Sequence, residues 1–202
     1  MMKTLFIDRD GVINKDPGGW TAHEYVTELK DLHFLPGALD ALALLNRNRI
    51  QVIVVSNQAG VNKGFFTKER LDEITRSMLS EVKKRGGDIS EVFYCTHTNE
   101  DNCDCRKPKP GMLEAAIRKH GVTARDTYIV GDSEVDILAG RSAGLKTIFV
   151  LSGKTGLEQM KAWKVKPDYV FRDLLEAVKW ILVKDRRKSE RSTRREKEGR
   201  KR

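Results

Sequence analysis

The sequence predicts an α/β protein built on a doubly wound, mainly parallel sheet with helices on both faces. Three observations carry that reading. Short β-branched or aromatic runs alternate with longer amphipathic stretches, helix caps and glycines punctuate them, and polar residues recur where the apolar runs stop. In order, the strand runs are Thr4–Asp8, Gln51–Ser56, Val92–Cys95, Thr127–Val130, Thr147–Leu151 and Tyr169–Phe171. Between and after them, the amphipathic stretches Ala38–Asn48, Lys68–Arg85, Gly111–His120, Val135–Ala143 and Asp173–Val183 read as helices. Thr67 and Asp173 suit N-caps, and Gly86, Gly121 and Gly144 suit helix ends. There is no internal repeat. In such folds ligands bind at the carboxyl ends of the strands, so Asp8, Ser56, Cys95 and Gly131-Asp132 are expected to meet at one rim.

The 202 residues, 39% hydrophobic and 33% charged, suit one domain with a tail and a core that needs no covalent staples. No apolar run approaches the roughly 18 residues of a membrane-spanning helix. The N-terminal apolar stretch Leu5-Phe6-Ile7 stops at Asp8, too short for a signal peptide, so a cytoplasmic protein is expected. The net charge of +9 is concentrated at one end: Lys184 to Arg202 holds eleven Lys/Arg against four Asp/Glu. A domain over 1–183 with a basic, disordered or frayed-helical tail over 184–202 is expected, the tail being a solvated segment rather than a nucleic-acid grip.

Four short segments carry candidate chemistry. Asp8-Arg9-Asp10-Gly11 puts two carboxylates at a strand end where Gly11 permits a turn. Their repulsion calls for a cation, and hard oxygen ligands favour Mg²⁺. Alone, the segment reads equally as a loop with two solvated acids. Ser56-Asn57 offers a hydroxyl and an amide to phosphoryl oxygens, or simple turn chemistry. Arg106-Lys107-Pro108-Lys109-Pro110 opens a helix where a lysine can reach an anion beside the helix dipole, a solvated basic patch being the plainer alternative for Lys109. Gly131-Asp132 followed by Asp136 supplies a third acid for the Mg²⁺ site, or an N-cap carboxylate.

The four together, in this order and each at a strand end, resemble the haloacid dehalogenase superfamily of phosphotransferases over residues 3 to 175 or so.

Cys95-x-His97 and, five residues on, Cys103-x-Cys105 supply four N/S ligands within eleven positions. That is a closed tetrahedral Zn²⁺ site with no place for water, hence a structural one. Unligated cysteines beside a turn histidine are the plainer alternative. A zinc loop over 95–105 that runs directly into Cys-Arg-Lys-Pro is similar to the heptose 1,7-bisphosphate phosphatases and to their histidinol-phosphate phosphatase relatives. Asp-Arg-Asp-Gly-Val-Ile-Asn at 8–14, Ser-Asn-Gln-Ala-Gly-Val-Asn-Lys-Gly at 56–64 and Lys-Pro-Lys-Pro-Gly-Met at 107–112 look more like the heptose enzymes.

That resemblance implies Mg²⁺ held by Asp8, Asp132 and a main-chain oxygen of Asp10. It implies Asp8 as nucleophile, Asp10 as acid and base, and Ser56 and Lys107 on the phosphoryl oxygens. It further implies substrate contacts from Asp16, Pro17, Gly18, Gly19, Asn57, Gln58, Ala59, Arg106 and Ser133, with the zinc loop fixing Lys107 and Asp136 holding the loop. Two departures bear on the sugar: Trp20 follows two glycines rather than one, and Ser133 stands where some members carry a lysine. Too few residues lie between the motifs for a large cap. The expected partner is a small phosphorylated sugar, removed of its 7-phosphate by a monomer, with no membrane and no nucleic acid. Histidinol phosphate, a nucleic-acid end phosphate and mere phospho-metabolite binding are the alternatives.

Overall fold

In the computed structural model, which describes residues 3–21 and 23–185, six strands form one sheet. They are β1 (Lys3–Ile7), β2 (Ile50–Asn57), β3 (Glu91–Cys95), β4 (Tyr128–Gly131), β5 (Lys146–Val150) and β6 (Tyr169–Phe171). Every neighbouring pair is parallel and the order is β3-β2-β1-β4-β5-β6. The chain builds outward from β1 to β3, then returns to β1's other edge and builds outward to β6. The switch point of the sheet therefore lies between β1 and β4, the crevice where ligands of open α/β sheets bind.

The helices are α1 (Ala38–Arg47), α2 (Lys68–Lys84), α3 (Gly111–His120), α4 (Glu134–Ser142), α5 (Leu157–Lys161) and α6 over residues 174–185. Strand alternation divides the core between two faces. Leu5, Ile7, Val52, Val54 and Val130 pack under α1, α2 and α6 with Leu42, Leu45, Met78 and Val178. Phe6, Ile53, Val55 and Ile129 face the other way, under α3 and α4 with Leu113, Ala116 and Ala139. The inner strands are buried on both faces, which is why they read as nearly unbroken apolar runs.

Thr67 caps α2 by accepting from Arg70 N (3.2 Å), and Asp173 caps α6 by accepting from Glu176 N (2.9 Å). The sequence reading missed α5, whose five residues are too few for a periodic pattern. The last helix runs on into the first two residues of the expected tail. Lys184 is still packed, its ammonium 4.3 Å from the Trp180 ring centroid and bonded to Tyr169 Oη at 2.8 Å, while Asp185 pairs with Lys3. The rest of the basic tail, 186–202, lies outside the described residues. Among the described residues no helix is long and apolar enough to cross a membrane, and no separate cap domain interrupts the core.

Candidate active site

Asp8 is the first residue beyond β1, and its N–H donates to Val130 O in β4 (2.9 Å), so the sheet's own ladder delivers it to the switch point. Asp132 follows the last residue of β4 in the same way. Gly11, at φ +79°, turns the chain beneath them. A Cβ there would lie 2.5 Å from Asp132 Cγ, so the position needs glycine both for the turn and for the close approach. Gly153, after β5, is pressed still closer to the Asp132 carboxylate.

Lys107 reaches this rim from the segment before α3. Its ammonium donates to Asp136 (2.5 Å) and Val55 O (2.8 Å) and lies 3.2 Å from Asp8. Burial disfavours its charge, but Asp136 and Asp8 outweigh that and keep it protonated. Asp8 is pushed up to about 6, first by burial and then by Asp136 and Asp10, with Lys107 and Ser56 offsetting part of the rise. Asp132 is raised for the same reasons, burial first, although Lys154 N bonds its Oδ2 at 3.0 Å. One lysine thus faces three buried carboxylates whose oxygens lie within 4.8 Å of one another. Asp136 is already spent: besides Lys107 it accepts from Ser133 N and Oγ (3.2 and 2.5 Å), the capping box of α4. The residual negative charge, carried by hard oxygens on Asp8 and Asp132, fits Mg²⁺.

Asp10 lines the same cavity. Its Oδ1 accepts from Arg9 Nε (3.1 Å) and Asn14 Nδ2 (2.8 Å), and its Oδ2 from Arg9 Nη2 (2.9 Å) and Gln58 Nε2 (2.8 Å).

The cysteine cluster closes at the end of β3. Cys105 Sγ lies 3.1 Å from Cys95 Sγ, 3.4 Å from Cys103 Sγ and 3.3 Å from His97 Nδ1. Three sulfurs and one ring nitrogen this close, around a common centre, fit a tetrahedral Zn²⁺. Burial pushes the Cys95 thiol up to about 12. At Cys103 the Arg106 N–H and the neighbouring thiols overcome burial and bring it down to about 7. A zinc ion would ionise both.

The cavity of about 450 Å³ over this floor is lined by Asp8, Asp10, Ser56, Lys107 and Asp132, with Asp16, Pro17, Asn57, Arg106 and Ser133 around them. Gly18 and Gly19 line an adjoining hollow that shares Asp16 and Lys154 with it.

Several sequence expectations change here. The zinc loop fixes Arg106, not Lys107: Asn99 Oδ1 and His97 O accept from the guanidinium (2.8 and 3.1 Å). Lys107 is instead clamped by Asn57, whose side-chain amide takes Lys107 N–H (3.1 Å) and gives to Lys107 O (2.9 Å). Asn57 therefore holds the lysine from the cavity wall that it also lines. Gln58 and Ala59 are buried and do not line the cavity. Ser133 lines it, but its hydroxyl is committed to Asp136. Residues that sequence reasoning missed are Lys154, Lys63 and the loop residues His23, Glu24 and Tyr25. Lys154 lies on the loop four residues beyond the end of β5, whereas Asp132 directly follows β4. His23 and Tyr25 carried no signal, being placed by ring contacts with Phe65 (4.4 and 5.9 Å between centroids).

Comparison with known proteins bears on this arrangement. The HAD-hydrolase-like family model matches residues 104–177. The D-glycero-β-D-manno-heptose-1,7-bisphosphate 7-phosphatase of Neisseria meningitidis serogroup A is 36% identical over 183 residues, covering 90% of this chain and 95% of that protein. The enzyme of the same name from Pasteurella multocida is 35% identical over 188 residues, covering 90% and 97%. The crystal structure of D,D-heptose 1,7-bisphosphate phosphatase from B. bronchiseptica, complexed with magnesium and phosphate, superimposes with a TM-score of 0.84. It is 31% identical, over 91% of this chain and 99% of that one.

Proposed function

The chain belongs to the heptose-1,7-bisphosphate 7-phosphatase family of HAD-like hydrolases, and on that premise we propose that it hydrolyses the 7-phosphate of D-glycero-D-manno-heptose 1,7-bisphosphate. The observation that carries the reading is the junction of Asp8, Lys107 and Asp132 at the sheet's switch point, on the floor of a cavity sized for a small metabolite. Phosphate monoesters resist attack because an anion must approach an anion, so charge neutralisation is the first requirement.

Asp8, Asp132 and the main-chain oxygen of Asp10 would hold Mg²⁺, which would supply positive charge against the phosphoryl oxygens. Lys107 and the Ser56 hydroxyl stabilise the same oxygens as the phosphoryl group transfers. The Asp8 carboxylate attacks phosphorus in line, the bond from phosphorus to the sugar oxygen breaks, and Asp10 gives its proton to that oxygen. Asp10 then takes a proton from the water that attacks the aspartyl-phosphate at phosphorus, which frees inorganic phosphate and restores Asp8. Asn57 serves by fixing the backbone of Lys107, and Asp136 by fixing its ammonium. Arg106, Lys63 and Lys154, the other cations of the cavity wall, suit the substrate's second phosphate.

The test is phosphate release, with Mg²⁺, from both anomers of the heptose bisphosphate and from histidinol phosphate, for the unmodified chain and Asp8→Asn. Preference for the bisphosphate, abolished by the substitution, is the expected result. Preference for histidinol phosphate would overturn the substrate assignment, and no turnover of any ester would overturn the reaction.

A further inference from the structure

Arg9 lies between two residues of the phosphoryl-transfer site, yet it is fully buried and is not among the residues that line the catalytic cavity. A buried arginine needs a partner able to hold its charge, and it has one. Its Nε and Nη2 grip the two oxygens of Asp10 side by side (3.1 and 2.9 Å), the fork geometry that fixes a carboxylate plane. The guanidinium carbon lies 5.8 Å from the Tyr94 ring centroid, and Tyr94 Oη is hydrogen-bonded to Thr75 of α2 (2.9 Å). The fork is therefore anchored to the body of the fold and not to the loop that carries Asp10.

Gln58 and Asn14, both also fully buried, give one amide N–H each to Asp10, at 2.8 Å in both cases. Gln58 Nε2 lies in addition 3.2 Å from Ser56 Oγ. The carbonyl oxygens of both amides have no protein partner among the described residues. Their side chains are turned so that the donor, and not the acceptor, serves Asp10. Four donors on two oxygens define the plane of the carboxylate.

We propose that Arg9, Asn14 and Gln58 are positioning residues that aim the Asp10 carboxylate at the leaving oxygen, with Gln58 tying that aim to Ser56 on the phosphoryl group. The inference rests on the reading of Asp8 as nucleophile and Asp10 as proton donor. It separates from that reading through the leaving group. A sugar alkoxide leaves only if Asp10 delivers a proton as the bond to phosphorus breaks. A p-nitrophenolate is stable enough to leave without one. Misaiming Asp10 must therefore slow cleavage of the sugar ester and spare that of the aryl ester, whereas a general loss of structure slows both.

The experiment is rapid-quench measurement of Asp8 phosphorylation by heptose 1,7-bisphosphate and by p-nitrophenyl phosphate. It uses the full chain with Mg²⁺ and zinc, comparing the unmodified protein with Gln58→Met and Arg9→Lys. Gln58→Met keeps the volume and removes the donor. Arg9→Lys keeps the charge and removes the fork, and the pair guards against one variant failing to fold. The expected result is a fall of roughly 100-fold in the ratio of sugar-ester to aryl-ester phosphorylation for Gln58→Met, the lower end of what a general acid contributes. A fall in the same direction is expected for Arg9→Lys. An unchanged ratio, whether both rates fall together or neither falls, would overturn the positioning role while leaving the reaction intact. Absence of phosphorylated Asp8 from either ester in the unmodified chain would overturn the reaction, and the proposal with it.

Discussion

Replacing Asp8 by Asn should stabilise the magnesium-free protein by an amount that depends on pH. Asp8 ionises at 3.8 when unfolded and near 6 when folded, because burial and the neighbouring Asp136 and Asp10 cost its charge more than Lys107 at 3.2 Å returns. Each pKa unit is worth about 1.4 kcal/mol, so the ionised group costs the fold about 3 kcal/mol. The sign follows from proton counting. Below 3.8 both states hold the proton and there is no penalty. Between the two values only the folded state holds it, so stability falls as pH rises. Above 6 the penalty is complete. Asn has the shape without the charge, so Asp8→Asn should exceed the unmodified chain by about 3 kcal/mol at pH 7.5 and by roughly half that at pH 5. For a chain of this size the first figure corresponds to a melting temperature higher by about 6–12 °C. Urea and thermal unfolding in magnesium-free buffer, with zinc supplied, would measure it. Added Mg²⁺ should narrow or reverse the difference, since it binds the folded state of the unmodified chain and uses Asp8 to do so. Equal stability at pH 7.5, or a difference that does not change with pH, would refute the account of a carboxylate held against its own charge.

Three further outcomes are expected. Gly153→Ala, whose new Cβ collides with the Asp132 carboxylate, should raise the Mg²⁺ concentration needed for half-maximal activity about tenfold or more while far-ultraviolet circular dichroism is unchanged, one misplaced ligand costing upward of about 1.4 kcal/mol. Cys103→Ser should abolish the expected stoichiometry of about one zinc per chain, measured by mass spectrometry of the metal, and should raise KM for the bisphosphate more than it lowers kcat, since the loop it closes fixes Arg106. Lys184→Ala, which removes a cation held against Trp180 and Tyr169, should lower the melting temperature by about 2–4 °C, in line with about 1 kcal/mol for a partly buried cation–π contact, with kcat unaffected.

Much of the fold is legible in the sequence because parallel strands covered on both faces must be apolar throughout. Val52 to Val55 cannot be anything but interior. Glycines at 86, 121 and 144, all at positive φ, end the helices where the sequence placed them. Neither α5 nor the loop over 16–28 was legible, since five residues give no period and a loop's path depends on what it leans against. His23 rests on Phe65, 42 positions away, and no local signal announces that.

The side chains proposed to act on phosphate and to hold metal are a different case. That Asp8 and Asp132 meet, and that Cys95, His97, Cys103 and Cys105 meet, was legible, because strand ends and tight spacing fix which residues come together whatever the packing around them. What only the tertiary structure decided is how each polar group is spent. Asn57, Gln58 and Ser133 carry the donors and acceptors that a substrate would want, and sequence position puts them at the rim. In the fold their hydrogen bonds go to Lys107, Asp10 and Asp136 instead. The reason is physical: a hydrogen bond is decided within about 3 Å, by which partner packing brings into reach and how far water is excluded. For Ser133 that partner is three residues on, in the capping box of α4, but for Asn57 and Gln58 the distances are set by residues 50 and 48 positions away in the chain, which is why the sequence by itself names the chemistry of this site and the fold assigns most of its partners.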